Sequence, residues 1–145
     1  IMKIQKWIIA AVLGGSLTTA MAANDWKKVT FNNKTVNLYF DANSIKPRTD
    51  QYKNRYLDVR VNRAYGEPQR MSTGKFYTHY YETLSVDCSH GAYATSNSRW
   101  TINSNTEVHK SAGNKDDWNK YDDEDRTATA AQARAVCRYY KSFLG

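Results

Sequence analysis

Along most of this chain apolar and polar residues alternate with a period of two, the pattern of half-buried β-strands. Val36, Leu38 and Phe40 take turns with Asn37, Tyr39 and Asp41, and Leu57, Val59 and Val61 with Asp58, Arg60 and Asn62. The longest run places Phe76, Thr78, Tyr80, Leu84, Val86 and Cys88 on one parity, and Tyr77, His79, Tyr81, Thr83, Ser85 and Asp87 on the other. Shorter strands are predicted over Trp26 to Phe31, Tyr93 to Ser96 and Arg99 to Ile102. The breaks carry turn chemistry: Asn32-Asn33, the segment 41–51 with Pro47, Gly66-Glu67-Pro68, and Ser89-His90-Gly91. Strands so short and close make hairpins. No helical crossover is offered between them, so the predicted sheet is mainly antiparallel.

From Asn103 to Arg126 aliphatics are sparse, and a long loop is predicted, holding the charge run Asp122-Asp123-Glu124-Asp125. After it the period changes. Ala133, Val136, Cys137, Tyr140 and Leu144 stand at the spacing of one helix face, in an alanine-rich stretch that Thr127 or Thr129 can cap. Cys88 shares its parity with Leu84 and Val86, and Cys137 lies on the apolar side of the helix. A helix packed on the sheet therefore brings the only two cysteines together. The expected fold is α+β but mostly β: an antiparallel sheet with a C-terminal helix packed on it and one Cys88–Cys137 disulfide.

The N-terminal segment changes the picture of location. Lys3 and Lys6 precede an apolar run from Trp7 to Leu17, and Ala20-Met21-Ala22 has the small-x-small pattern of a cleavage site. Residues 1–22 thus read as a signal peptide, and residues 23–145 as a single domain. Position 23 is Ala rather than the Cys of a lipoprotein, so no lipid anchor is expected. The protein is expected to be exported and either periplasmic or secreted, with association at the outer surface as a further option. An oxidising compartment also favours the disulfide over two metal-binding thiolates. Removing Lys3 and Lys6 from 21 basic residues leaves 19 against 14 acidic ones, a formal charge of +5. Export argues against nucleic acid as the polyanion this charge would attract, and leaves glycans, lipopolysaccharide and acidic proteins.

Little of the chemistry of catalysis is present. There is no Gly-x-Ser-x-Gly elbow, and both thiols are taken up by the disulfide. His79, His90 and His109 are scattered without metal-ligand spacing, and the acidic run lacks the alternation of a calcium loop. No cofactor, no metal and no enzymatic activity are expected. Asp87, just before Cys88, reads as a turn cap. The features that suggest recognition are Tyr77, His79 and Tyr81 on the outward parity of the long strand, a stripe that can continue across the sheet to Tyr39 and Arg60. The plainer uses of such a stripe are an aromatic ladder that stiffens the sheet, or a homodimer contact. Arg134, Arg138 and Lys141 form a second, basic stripe on the helix.

Several of these pieces occur together in a known family. Trp26, the run Val36-Asn37-Leu38-Tyr39-Phe40-Asp41-Ala42-Asn43-Ser44-Ile45-Lys46, the strand Tyr56 to Tyr65, and the strand Tyr80 to Cys88 ending Val86-Asp87-Cys88 with a late partner cysteine resemble the surface-adhesin protein E family of Gram-negative bacteria. The resemblance implies an antiparallel sheet with a helix, a place at the cell envelope, and adhesion to host extracellular-matrix proteins such as vitronectin and laminin. The expected function is therefore binding of a protein or glycan ligand at the envelope. The alternative is a periplasmic inhibitor of a hydrolase such as lysozyme, although a +5 domain would repel a strongly basic enzyme.

Overall fold

Alternation becomes sheet wherever one parity is apolar enough to bury. The computed structural model describes residues 23–144, so the signal peptide expected over residues 1–22 lies outside the described residues. Among the described residues the strands are β1 (Trp26–Val29), β2 (Val36–Asp41), β3 (Lys46–Thr49), β4 (Arg55–Arg70), β5 (Phe76–Asp87), β6 (Ala92–Ile102), β7 (Thr106–Gly113) and β8 (Asn119–Lys120). Helix α1 (Ala128–Tyr139) follows, and a wider turn, Tyr140–Leu144, comes after it. The strands form one antiparallel sheet in the order β1-β2-β4-β5-β6-β7. β3 pairs with β4 beyond the end of β2, and β8 pairs with β6 beyond the end of β7. The mostly β architecture with a single C-terminal helix agrees with the expectation from the alternating pattern.

In the segment 41–51 the chain turns sharply but does not leave the sheet. Asp41 Oδ1 accepts hydrogen bonds from the backbone N–H groups of Asp25 (2.8 Å) and Asn43 (3.0 Å), capping a 3-10 turn at Ala42–Ser44. Ser44 Oγ donates to the Asp41 carbonyl and accepts from the Arg60 N–H. The Asp-x-x-Ser segment thus kinks one strand into two, and β3 resumes on the same edge of β4. Pro47 sits in β3 because an edge strand does not need every N–H.

Three expectations are corrected. Gly66-Glu67-Pro68 is a bulge inside β4 rather than a turn between strands, for pairing with β5 stops at Ala64 and resumes at Gln69 opposite Tyr77. Tyr93–Ser96 and Arg99–Ile102 are one strand, β6. The gap between them is another bulge, where Asn97 takes φ 52° and the register with β5 shifts. Residues 103–126 are not one loop, because β7 and β8 lie within them. Almost every residue of β7 is exposed, and an edge strand wet on both faces has no apolar period to read.

The apolar parity forms the core. Val36, Leu38, Phe40, Leu57, Val59, Val61, Leu84 and Val86 face α1, which contributes Ala131, Ala133, Ala135 and Val136. Thr127, not Thr129, caps the helix by accepting from the Ala130 N–H, and Asp125 holds Thr127 in place. Burial extends beyond the expected stripe to Ala130 and Gln132, so the sheet encloses most of the helix. Leu144 was expected in the core but is exposed, since the turn after Tyr139 carries it outward. Gln132 Nε2 donates to the carbonyls of Tyr39 (3.2 Å) and Asn62 (3.1 Å), tying α1 to β2 and β4. Cys88 and Cys137 are joined as expected, closing a separation of 49 residues. None of the helices described is long and apolar enough to cross a membrane.

Cross-linking a loop of this length stabilises by ~4 kcal/mol in the chain-entropy model. Reduction, or the pair Cys88→Ser and Cys137→Ser, is expected to lower the unfolding free energy by about that amount in urea titrations. Gln132→Ala, which removes a buried amide that holds two strands, is expected to cost about 1–3 kcal/mol in the same assay.

Candidate functional site

The polar parity of the strands was expected to look into solvent, yet part of it is covered. Strand register brings one residue from each of six strands into a row across the face opposite α1. Lys28 pairs with Tyr39, Tyr39 with Asn62, Asn62 with Tyr81, Tyr81 with Arg99, and Arg99 with Lys110. At ~4.8 Å between strands the row is roughly 24 Å long.

Its centre is packed. Trp26 reaches the Tyr81 ring at 6.1 Å, His79 lies parallel to it at 6.3 Å, and the Arg99 guanidinium stands over it at 5.0 Å. Tyr81 and Asn62 are each only 8% exposed as a result. Burial holds the His79 imidazole below its ordinary pKa, so it is neutral at pH 7 and leaves the positive charge of the row to Lys28, Arg99 and Lys110. The ends of the row are exposed lysines and its middle is a rigid aromatic patch. A basic rim around fixed rings is chemistry that suits an acidic partner surface.

Of the residues expected at a binding face, Tyr39, His79 and Tyr81 are brought together, and Arg60 lies exposed on the same face, opposite Thr83. Tyr77 is not part of this group. The bulge in β4 turns it onto Tyr65, with ring centres 5.7 Å apart and nearly perpendicular. Arg134, Arg138 and Lys141 belong to the helix side of the sheet, with Arg134 Nη1 donating to the Asp122 carbonyl. The structure therefore separates the two stripes. Trp26, Lys28, Arg99 and Lys110 were not among the residues expected at a binding face. Trp26, Lys28 and Arg99 stood on predicted strands, but which residues meet across a sheet is set by register. Asp87 is the expected turn cap: Ser89 Oγ and the His90 N–H donate to its Oδ1, and His90 Nδ1 lies 2.9 Å from its Oδ2.

No family model and no curated protein matches the sequence. The structure is similar to that of protein E from non-typeable Haemophilus influenzae. That likeness covers 80% of this chain and 78% of the other, at 16% sequence identity and a TM-score of 0.45.

On the opposite side of the sheet a second row, Arg63, Tyr80, Trp100 and His109, runs through the same strands and encloses a buried acid. Glu82 is 4% exposed. Its Oε1 accepts from the Tyr80 hydroxyl at 2.9 Å, and its Oε2 lies 3.6 Å from Arg63 Nη2. Arg63 in turn donates to Thr129 at 2.7 Å and stands over the Tyr80 ring. Burial pushes the Glu82 carboxyl above the ordinary glutamate range despite Arg63 and Tyr80, and burial also takes the Tyr80 hydroxyl up to about 12. A carboxyl that holds its proton more tightly folded than unfolded contributes stability that is present at low pH and lost as pH rises through the folded pKa. Unfolding curves measured from neutral pH down towards pH 4.5 are therefore expected to show native Glu82 gaining stability relative to Glu82→Gln as pH falls.

Proposed function

We propose that this chain is an exported binding protein of the cell envelope that acts in the manner of an adhesin, holding an acidic protein partner against the Lys28–Lys110 row. The observation that carries this reading is the row itself. Six strands contribute to it, and Tyr81 is fixed between Trp26, His79 and Arg99 while the flanking cations remain exposed. Fixed aromatic anchors lose little entropy on binding, and the cations around them raise the rate of encounter with a negatively charged surface. The basic and apolar run with its small-x-small end supports export, to the periplasm or beyond it. Fractionating the producing cell into periplasm, outer membrane and medium is expected to place the protein outside the cytoplasm.

The full chain is expected to bind immobilised vitronectin or laminin. The pair Lys28→Glu and Lys110→Glu is expected to weaken that binding about tenfold, or about 1.4 kcal/mol. Raising the salt concentration is expected to weaken the native interaction and to have less effect on the variant. Lys141→Glu, on the other side of the sheet, is the control and is expected to bind as the native chain does. Equal binding by the row variant, or no binding to either matrix protein, would sink the reading.

A further inference from the structure

Six residues along β5 from Tyr81, a distance of roughly 20 Å, the same face of the sheet ends at a cleft that the row does not reach. Its walls come from three separate segments: the turn 50–56, the turn 87–92 and the segment 116–120. The volume is about 550 Å³, within the ~300–1,000 Å³ of small-ligand sites.

Aromatic rings stand here without being buried. Tyr52 is 76% and Trp118 39% exposed, whereas soluble proteins usually cover rings of this size. Trp118 is braced rather than loose: it meets Tyr56 nearly perpendicularly, with centres 5.6 Å apart, and Lys115 Nζ lies 5.3 Å from the Tyr56 ring. Trp118 is therefore held as a platform at the surface, and Tyr52 lines the same cleft as an open ring.

The polar groups around them are fixed as well. Asp50 Oδ1 accepts from the backbone N–H groups of Tyr52 and Asn54, and Asn54 Nδ2 donates to its Oδ2; these bonds hold its carboxyl below the ordinary aspartate range. Burial pushes Asp87 up, but hydrogen bonds from His90 and Ser89 outweigh it and keep that carboxyl low too. Both are charged acceptors at neutral pH, with lone pairs left over. Asp116, Arg55 and Lys120 also line the cleft and form no ion pair among the described residues.

Three carboxylates against two cations select no strongly ionic ligand. A phosphate or sulfate would face Asp50, Asp87 and Asp116, an amine would face Arg55 and Lys120, and a hydrocarbon would strip water from all five. Flat apolar faces with donors and acceptors interleaved at their edges match a pyranose, which has an apolar C–H face and a rim of hydroxyls that both donate and accept. We infer that this cleft is a binding site for a short neutral oligosaccharide, stacked on Tyr52 and Trp118 and held at its hydroxyls by Asp50 and Asp87. It is independent of the reading of the Lys28–Lys110 row.

The test is the full chain on an array of neutral glucans, galactans and chito-oligosaccharides, followed by calorimetric titration of whatever binds, with heparin and choline as ionic comparators. A neutral saccharide is expected to bind, and Tyr52→Ala and Trp118→Ala are each expected to weaken it about tenfold, the effect of losing one stacking platform. Tyr52 is exposed enough that its variant should keep the native unfolding midpoint, which separates loss of the site from loss of the fold. Lys28→Glu with Lys110→Glu should leave saccharide binding unchanged. Absence of any neutral saccharide ligand, binding indifferent to both aromatic variants, or a cleft that takes choline or heparin instead would overturn the inference.

Discussion

The close approach of α1 to the sheet is the constraint on which the rest of this structure depends. A helix can sink into a curved sheet only if its side chains are short, and Ala130, Ala131, Ala133 and Ala135 are all buried at that contact. At this range Gln132 reaches past the side-chain layer to the carbonyls of Tyr39 and Asn62. Those two residues are also members of the row on the opposite face, so the helix holds from behind the strands that carry the candidate binding surface. Cys137 is brought to Cys88 by the same approach, and the disulfide fastens the far end of α1 to the end of β5.

A sheet covered on one face by a helix has a second face to dispose of. Here it is neither fully wet nor a second core. Tyr81 and Asn62 are buried at its middle under Trp26 and Arg99, while Asp58, further along, receives Arg48 and Lys115. The cations Lys28 and Lys110 are thus kept at the edges of the aromatic patch, where they stay hydrated and free to act at a distance. Among the described residues two acids go deep: Asp41, held by the backbone N–H groups of Asp25 and Asn43, and Glu82, which lies on the helix side. Glu82 keeps Arg63 and Tyr80 close, because an unpaired carboxylate there would be far costlier.

Much of the fold was legible because its strands are half buried. Leu38, Val59 and Leu84 lie on the parity that the alternation assigns to the core, and Cys88 follows from Leu84 and Val86. What escaped was whatever has no apolar period. β7 is an edge strand exposed on both faces, and its sequence looks like a loop. Gly66 and Pro68 have the composition of a turn but occupy a bulge, since β4 continues to pair with β5 on either side of them. Leu144 keeps the helical spacing, yet the backbone widens after Tyr139 and turns it outward.

The candidate surface divides in the same way. Local pattern by itself determined the half-buried strands β2, β4 and β5 and which of their residues form the core, because alternation and parity are properties of a single segment; that the two cysteines are joined followed from their number and from the apolar sides on which each lies. That Tyr39, Asn62, Tyr81 and Arg99 share one row, that Tyr77 leaves it for Tyr65, and that the basic helix stripe lies on the other side were decided only in the assembled sheet. Register between strands is set by bulges and by the packing of both faces at once, and a shift of one residue exchanges every neighbour across the sheet. The cleft at the end of β5 is further still from the sequence. Its walls lie in three segments that only the pairing of β3, β6 and β8 brings together.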